Sequence, residues 1–406
     1  MAFTPKDAHL IVQTLANQAS GRSDIVVTDG TSFVSAGRTL LESGTENVLN
    51  TLSVLVGKSI VQARAYKGSL SIIQAIESEF TNRIRKISFY SLDTVASGDY
   101  NTDLYTSLGT GKGDTDGPGS QWEQRAPEAL EMNFMGSDVW QYNITRYEDQ
   151  LKVAFRSEAE FIDFLNGFMT ELNNDFEQHK EAFARIALLN HITGTALMAK
   201  NEGYTESYVN LTKAFNTEYN TDYTTAEILQ EHPDDFLKFY VARVAIDSKR
   251  MEMRTALYHW SPEKTDASGN KLTLLRHTPK SMQKFVYYDP MFTMAKTRVL
   301  PEIFNDSYLK MEQGEGVQFW QSVKEPTKIK FKPSIAKGEA TEVVLDNVVG
   351  MLFDKDALLI DHQFDSAVAT PMNARHRYIN TWYTWRRNVI DDFTENTIVY
   401  YMADEA

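Results

Sequence analysis

Residues Met351–Met402 read MLFDKDALLIDHQFDSAVATPMNARHRYINTWYTWRRNVIDDFTENTIVYYM. The stretch is dense in apolar, aromatic and Arg residues. Thr397-Ile-Val-Tyr-Tyr-Met402 is a run of β-branched and aromatic side chains, which pack well on a pleated surface. Chain ends normally fray unless something ties them down. An apolar run here therefore predicts a terminal strand paired inside a sheet. Upstream, Arg375, Arg377, Arg386 and Arg387 alternate with Tyr378, Trp382, Tyr383 and Trp385. That mixture has two physical uses. It can stack on and charge-pair with single-stranded nucleic acid, or it can pair with carboxylates and stack on rings at a protein–protein contact. Asp361, Asp365, Asp391, Asp392 and Glu395 are near enough in sequence to neutralise the arginines, which favours the contact reading.

Composition narrows the choice further. A chain of 406 residues has room for two or three compact units, and 42% hydrophobic with 24% charged residues is ordinary for a globular protein. The net charge of −14 opposes a dedicated nucleic-acid binder, which needs a basic face. It suits a protein that sits beside nucleic acid without adhering to it. With no cysteine, disulfides, thiol catalysis and Cys-ligated metals are excluded. The opening Met-Ala-Phe-Thr-Pro-Lys-Asp lacks a basic region followed by an apolar run, so no secretory signal is expected. No apolar stretch reaches the roughly 18 residues that a membrane span requires.

Along the chain, Thr4 and Pro5 open a first helix with Leu10, Ile11 and Leu15 as its stripe and Gly21 as its stop. A second helix is expected around Thr45–Val56, with a polar, turn-rich connection between the two. Ile87 and Phe89 alternate with polar residues, as does Leu130-Glu-Met-Asn-Phe134, and each reads as a half-buried strand. Gly98–Pro127 between them is rich in Gly and poor in apolar residues. The matched flanks predict a long hairpin rather than a linker. Ser157–Gly194 is the clearest helix: Ser157 and Glu160 form a capping box, and Phe161, Leu165, Phe168, Leu172, Phe176, Phe183, Ile186 and Leu189 recur at helical spacing. Gly194 is its expected end. Pro233-Asp-Asp-Phe-Leu opens another helix, with acids at its positive end and Lys249 and Arg250 toward the other. Phe285–Tyr288, Lys328–Lys332 and Val343–Leu345 read as short strands, and Asp266–Lys271 as a surface turn.

Chemical motifs dissolve on inspection. Thr110-Gly-Lys-Gly113 lacks the first Gly and the final Ser or Thr of a phosphate loop. Asp114-Thr-Asp116-Gly117 lacks the bidentate Glu of a calcium loop. Glu171, Asp175 and His179 share a helix face but lack the paired Glu-x-x-His of a di-metal site, and a solvated stripe is the simpler reading. Asp361, His362, Asp365 and Ser366 supply triad residue types, with no Gly-x-Ser-x-Gly elbow anywhere. No catalytic residue, cofactor or metal is expected. What remains is a set of extended parts that bury little within one chain and need neighbours to cover them.

Leu-Phe-Asp-Lys-Asp-Ala at 352–357, and Asn373-Ala-Arg-His-Arg-Tyr378 followed by a Trp/Arg-rich strand, resemble the C-terminal end of tailed-bacteriophage major capsid proteins of the Hong Kong 97 type. Ile84-Arg-Lys-Ile-Ser-Phe-Tyr90 and Gly136-Ser-Asp-Val-Trp140 are also similar to segments of such proteins. The resemblance implies an α+β Hong Kong 97-type capsid fold. Its N-terminal arm would be 1–66, its extended E-loop region 67–150, and its P-domain 151–200, with the spine helix at 157–193. Its mixed A-domain would be 201–350, with 351–406 returning to the P-domain sheet. It implies self-assembly into hexamers and pentamers of an icosahedral phage head around double-stranded DNA. The expected partners are copies of itself, a portal protein, a scaffolding protein and a decoration protein, with packaged DNA close by and no membrane. The expected location is the virion, after assembly in the host cytoplasm. Candidate inter-subunit contacts are Lys112, Asp114, Asp116 and Trp122 in the loop, and Arg375, Arg377, Trp382, Trp385, Arg386 and Arg387 near the end. Two alternatives stay open. One is an encapsulin-like compartment shell. The other is an enzyme whose site is assembled from residues distant in sequence.

Overall fold

The structure is a computed structural model that describes residues 9–10, 12–14, 16–17, 25–42, 70–73, 83–91, 128–135, 138–147, 158–265, 271–298 and 314–404. The expected helix at Thr45–Val56, the cap Ser157, the turn at 266–270 and the Gly-rich stretch 98–127 lie outside them. The elements are α+β, and they fall into two compact units.

The first unit gathers Met1–Asn82, Met135–Leu188 and Leu358–Ile390. Near its start, Val12 and Ala16 are buried while Leu10 of the expected stripe is exposed; Ile11 and Leu15 lie outside the described residues. Helix α1 (Gly30–Glu42) occupies what the sequence suggested was a turn-rich connection. Its cause is local. Asp29 Oδ1 accepts from Ser32 N at 2.7 Å, and Ser32 Oγ accepts from Asp29 N at 2.9 Å, so two otherwise orphaned donors are satisfied reciprocally. Phe33 and Ala36 then face the core.

The same unit holds a three-stranded sheet in the order β12-β13-β3. These strands are β3 (Asp138–Tyr147), β12 (Leu358–Ala369) and β13 (Tyr378–Asp391). β13 and β3 pair antiparallel from Tyr378↔Tyr147 to Arg387↔Asp138. The register sets Trp385 directly across from Trp140, ring centroids 5.0 Å apart, and both lie against Phe176 of the long helix, at 4.8 and 5.9 Å. Cross-strand aromatic pairs of this kind stabilise a sheet by roughly 0.5–1.5 kcal/mol beyond their buried area.

Helix α2 (Glu158–Glu202) is 45 residues long. That makes it about 68 Å at 1.5 Å per residue. It does not stop at Gly194, which sits mid-helix. A Cβ there would lie 2.5 Å from the Phe393 ring, so the glycine is explained by close approach and not by termination.

The second unit gathers Arg83–Phe134, Leu189–Ala357 and Asp391–Ala406. Its five-stranded sheet has the order β4-β14-β11-β7-β8. The strands are β4 (Tyr208–Asn210), β7 (Gln283–Tyr288), β8 (Gly314–Val317), β11 (Val348–Asp354) and β14 (Thr397–Tyr401). β14 is interior: Val399 pairs parallel with Tyr208 on one side and antiparallel with Met351 on the other. The expected terminal strand is therefore present. It joins the sheet of the 201–350 region, whereas β12 pairs with β13 and β13 with β3. The last block does not return as one piece, because its strands divide between two sheets. β11 is buried throughout, as a central strand covered on both faces must be.

Helices α3 (Leu211–Tyr219), α4 (Thr225–Glu231) and α5 (Pro233–Met251) follow β4. Asn210 caps α3, a Thr224/Glu227 capping box opens α4, and Pro233 with Asp234 and Asp235 opens α5 as expected. Phe215, Ile228, Phe236, Tyr240, Leu352, Ile398 and Tyr400 form one core between these helices and the sheet. Gly350 admits the Tyr240 hydroxyl, which a Cβ would meet at 2.6 Å. Helix α6 (Asp289–Arg298) follows β7, and the short strands β9 (Ile329–Phe331) and β10 (Val343–Leu345) pair with each other. Strands β1 (Arg83–Phe89) and β2 (Ala129–Met135) pair on either side of the 92–127 stretch, so the two flanks of the expected hairpin do meet.

Candidate functional site

The base of that hairpin is tied into the second unit by charged groups. Alternation in β1 had suggested Ile87 and Phe89 as its buried face. The structure reverses it: Ile87 and Phe89 are 49% and 61% exposed, and Ser88 is buried. The inward face is polar because it meets carboxylates. Lys86 Nζ lies 2.6 Å from Asp392 Oδ2 and 2.6 Å from Glu395 Oε1. Arg276 approaches Glu395 at 3.2 Å, donates to Ser88 Oγ at 2.7 Å and to the Thr394 carbonyl at 3.0 Å. Four charges from three distant stretches of sequence thus close one seam. Burial opposes a charged Lys86, yet Asp392 and Glu395 outweigh it and hold its pKa above the ordinary value. Burial raises the Glu395 carboxyl, against the pull of Lys86 and Arg276.

The segment that supplies those carboxylates is itself pinned. His191 Nδ1 lies 2.7 Å from Asp391 Oδ1, and its Nε2 lies 2.9 Å from Thr397 Oγ1. Its ring stacks on Phe393 at 5.3 Å. Asn190 donates to Asp391 as well. Further along, Asn396 donates to Thr278 Oγ1 at 3.2 Å, and Thr278 donates to Asp354 at 2.8 Å. Burial raises the Asp354 carboxyl and lowers the His259 imidazole, whose ring nitrogens face Asn396 and the Leu274 carbonyl. Lys86, Arg276 and His191 did not stand out in the sequence. The one available signal was Lys86 inside a strand whose apolar residues alternate, and it pointed to the wrong face.

The candidates named from the sequence separate into groups. Lys112, Asp114, Asp116 and Trp122 lie outside the described residues. Arg375 and Arg377 are exposed in the connection between β12 and β13, where Asn373 Oδ1 accepts from Arg375 N at 3.0 Å and Arg377 takes a positive φ of 50°. Trp382 is 38% exposed. Trp385 is 1% exposed and belongs to the core of its own unit. Arg386 is half-buried. Arg387 lies over the Phe183 ring at 4.0 Å and pairs with Asp138 at 2.8 Å. Three of the carboxylates expected to neutralise the arginines have other tasks: Asp391 serves His191 and Asn190, and Asp392 and Glu395 serve Lys86. The residue types of the supposed triad and metal stripe also find structural roles. Asp361 and His362 are buried on β12, Asp175 accepts from the Tyr142 hydroxyl, and His179 lies beside Trp140 at 5.1 Å. Among the described residues no group of three or more His, Cys, Asp or Glu could hold a metal, and no helix is long and apolar enough to cross a membrane.

Comparison with known proteins places the chain among the proteins of phage shells. The family model for Phi29-like phage major capsid protein matches residues 12–401, and the chain belongs to that family. It is a structural protein of a phage capsid. Among curated proteins no relative matches it. Solved structures that it resembles include the capsid of Staphylococcus phage Andhra. That match is 10% identical, covers 82% of this chain and 83% of the other, and has a TM-score of 0.48. A structure of native bacteriophage P68, described as head fiber and inner core protein, is 8% identical with the same coverages of 82% and 83% and a TM-score of 0.47. The capsid of Cyanophage P-SCSP1u is 12% identical, covers 83% and 88%, and scores 0.40. Likenesses this low carry no argument, and the family match carries the assignment.

Proposed function

We propose that the protein closes into hexamers and pentamers that build an icosahedral phage head of the Hong Kong 97 type around double-stranded DNA. The observation that carries this reading is the family match along nearly the whole chain. The anchored hairpin supports it. A β-hairpin in water is marginal by itself, and here its base is held by a charged seam while Ile87 and Phe89 face outward. Such a part gains when a neighbouring subunit covers it. In this reading 92–127 is the tip of the E-loop, α2 is the spine helix, and Arg375, Arg377 and Trp382 remain the exposed contact candidates near the end of the chain. Arg386 contributes at the margin of that surface. Lys112, Asp114, Asp116 and Trp122 are contacts of the loop tip.

The protein works through binding energy, not catalysis: each contact between copies links the stability of the subunit to assembly by mass action. Portal, scaffolding and decoration proteins complete the head, assembly takes place in the host cytoplasm, and DNA is enclosed without a dedicated binding face. A match to phage capsid proteins does not favour the compartment-shell alternative. Electron microscopy and light scattering of the full chain test the reading. Icosahedral shells or free capsomers are expected, and deletion of Gly98–Pro127 is expected to leave a soluble subunit that forms none. Normal shells from that deletion would overturn the E-loop assignment.

A further inference from the structure

Beside the edge strand β4, between the end of α2 and helices α3 and α5, the second unit holds an open groove of about 910 Å³. Five cations line it, Lys200, Lys213, Lys238, Arg243 and Arg250, against the two carboxylates Glu206 and Glu218. That is a local excess of positive charge on a chain of net −14. Two of the cations are held from below. The buried Asp247 takes Arg243 Nε at 2.9 Å and Arg250 Nη1 at 3.4 Å, and accepts from the Tyr400 hydroxyl at 3.1 Å. The guanidinium groups are therefore positioned before anything binds. Between the charges, Ile246 and Tyr219 are 47% and 49% exposed. The groove wants an acidic occupant with some apolar surface.

The same unit presents one. Across α3, the corner formed by α4 and the start of α5 carries Asp222, Glu227, Glu231, Asp234 and Asp235, all exposed. Leu229 is exposed among them. We propose that the groove receives the α4–α5 corner of a second copy of this chain. The inference rests on the capsomer reading above and deepens it by naming the two surfaces. A closed ring needs a heterologous contact, in which one patch meets a different patch on the next copy. A basic groove and an acidic corner meet that requirement, the two being joined within one chain by the exposed Lys238–Asp235 pair at 3.4 Å. Nucleic acid fits less well, because Glu206 and Glu218 line the groove and the chain as a whole repels phosphate.

Charge reversal tests the pairing in the full chain. Lys200→Glu with Lys213→Glu reverses the groove without touching the Asp247 clamp. Asp222→Lys with Glu231→Lys and Asp234→Lys turns the corner net positive without touching the capping box. Each variant should shift the unassembled subunit's melting temperature by no more than about a few degrees, the cost of losing an acid from the first turn of α5, and raise the concentration needed for assembly at least tenfold. The combined variant should recover most of that loss. Assembly unchanged by either reversal, or not recovered by the combination, overturns the proposal, as does an effect confined to DNA binding. A second measurement exploits the absence of cysteine. Mixing Lys213→Cys protein with Glu231→Cys protein under oxidising conditions should give a disulfide-linked dimer that neither forms alone. Shells that form without that dimer would defeat the pairing and leave the capsid reading intact. Wild-type protein that forms neither shells nor capsomers with its scaffold would defeat the capsid reading itself.

Discussion

The seam at Lys86 and the arginine-rich strand β13 are both basic residues set among carboxylates and rings, yet they are put to different uses. Lys86 and Arg276 are drawn inward onto Asp392 and Glu395 and fix the base of a hairpin. On β13 the pattern splits along the strand: Trp385 and Arg387 are absorbed by Trp140, Phe176, Phe183 and Asp138, while Trp382 and the arginines before the strand stay outside. Charge and aromatic density therefore mark places where surfaces are made. Burial decides whether such a surface lies inside the unit or faces outward.

The largest expected effect separates the two regions. Lys86→Ala removes the Lys86 counter-ion from the buried Asp392 and leaves Glu395 with Arg276, which costs about 3–5 kcal/mol. Urea denaturation of the unassembled subunit would measure it, and a loss under about 1 kcal/mol would show that the seam is ornamental. The seam also carries a pH signature. The folded pKa of Lys86 is raised, so its contribution is complete below its ordinary value of about 10.5 and is lost as pH rises through the folded value. Lys86→Arg should move that alkaline loss to higher pH in a melting-temperature profile, because a guanidinium stays charged there. Glu395 works in the same sense at lower pH: with its pKa raised, its contribution is present below about 4.5 and fades as pH rises through the folded value. Glu395→Gln should flatten that part of the profile.

A smaller effect is expected at the seat of the carboxylate-bearing segment. Gly194→Ala gains about 1 kcal/mol of helix propensity but drives a methyl into the Phe393 ring, which overpacking prices at about 1–3 kcal/mol. A net loss of about 1 kcal/mol follows from those two terms. Net stabilisation would mean that Phe393 yields freely. On β13, Arg387→Ala removes ring stacking and one half-exposed ion pair, for about 1 kcal/mol. Smallest in stability, at under about 0.5 kcal/mol, is Arg375→Ala with Arg377→Ala on the exposed turn. This pair sharpens the comparison because its expected effect is on assembly yield, followed by light scattering, with the subunit unchanged.

Much of the fold was legible because local signals and burial agree. Pro233 with two following acids begins a helix, β7, β9, β10 and β14 fall where β-branched and aromatic runs sit, and the hairpin flanks pair. The misses share a cause. Ile87 and Phe89 were assigned inward because alternation tells that a strand has two faces but not which of them meets the core. Gly194 was assigned as a stop because a glycine's other use, letting a ring approach a helix, depends on Phe393 far along the chain. The arm helix α1 was missed because its box is built from Asp29 and Ser32, a shorter pair than the Ser/Thr and Glu/Gln form. Lys86, Arg276, Asp392 and Glu395 come from three separate stretches, so no window on the sequence contains the site. The contact reading of the last fifty residues extended to Trp385, which is buried within its own unit by neighbours across the sheet that are not adjacent in sequence.

The interior position of β14 has a consequence for how the subunit comes into being. Translation delivers residues in order, and β4, β7 and β11 emerge well before Thr397–Tyr401. Until that strand arrives, β4 has no partner in the sheet, and the β14-facing edge of β11 stays open. A nascent chain thus carries an incomplete sheet through nearly all of its synthesis, and pairing of such distant segments is slow. Polypeptides released short of Thr397 lack the strand that completes the sheet, and are expected to fall out as misfolded chains before they reach any partner.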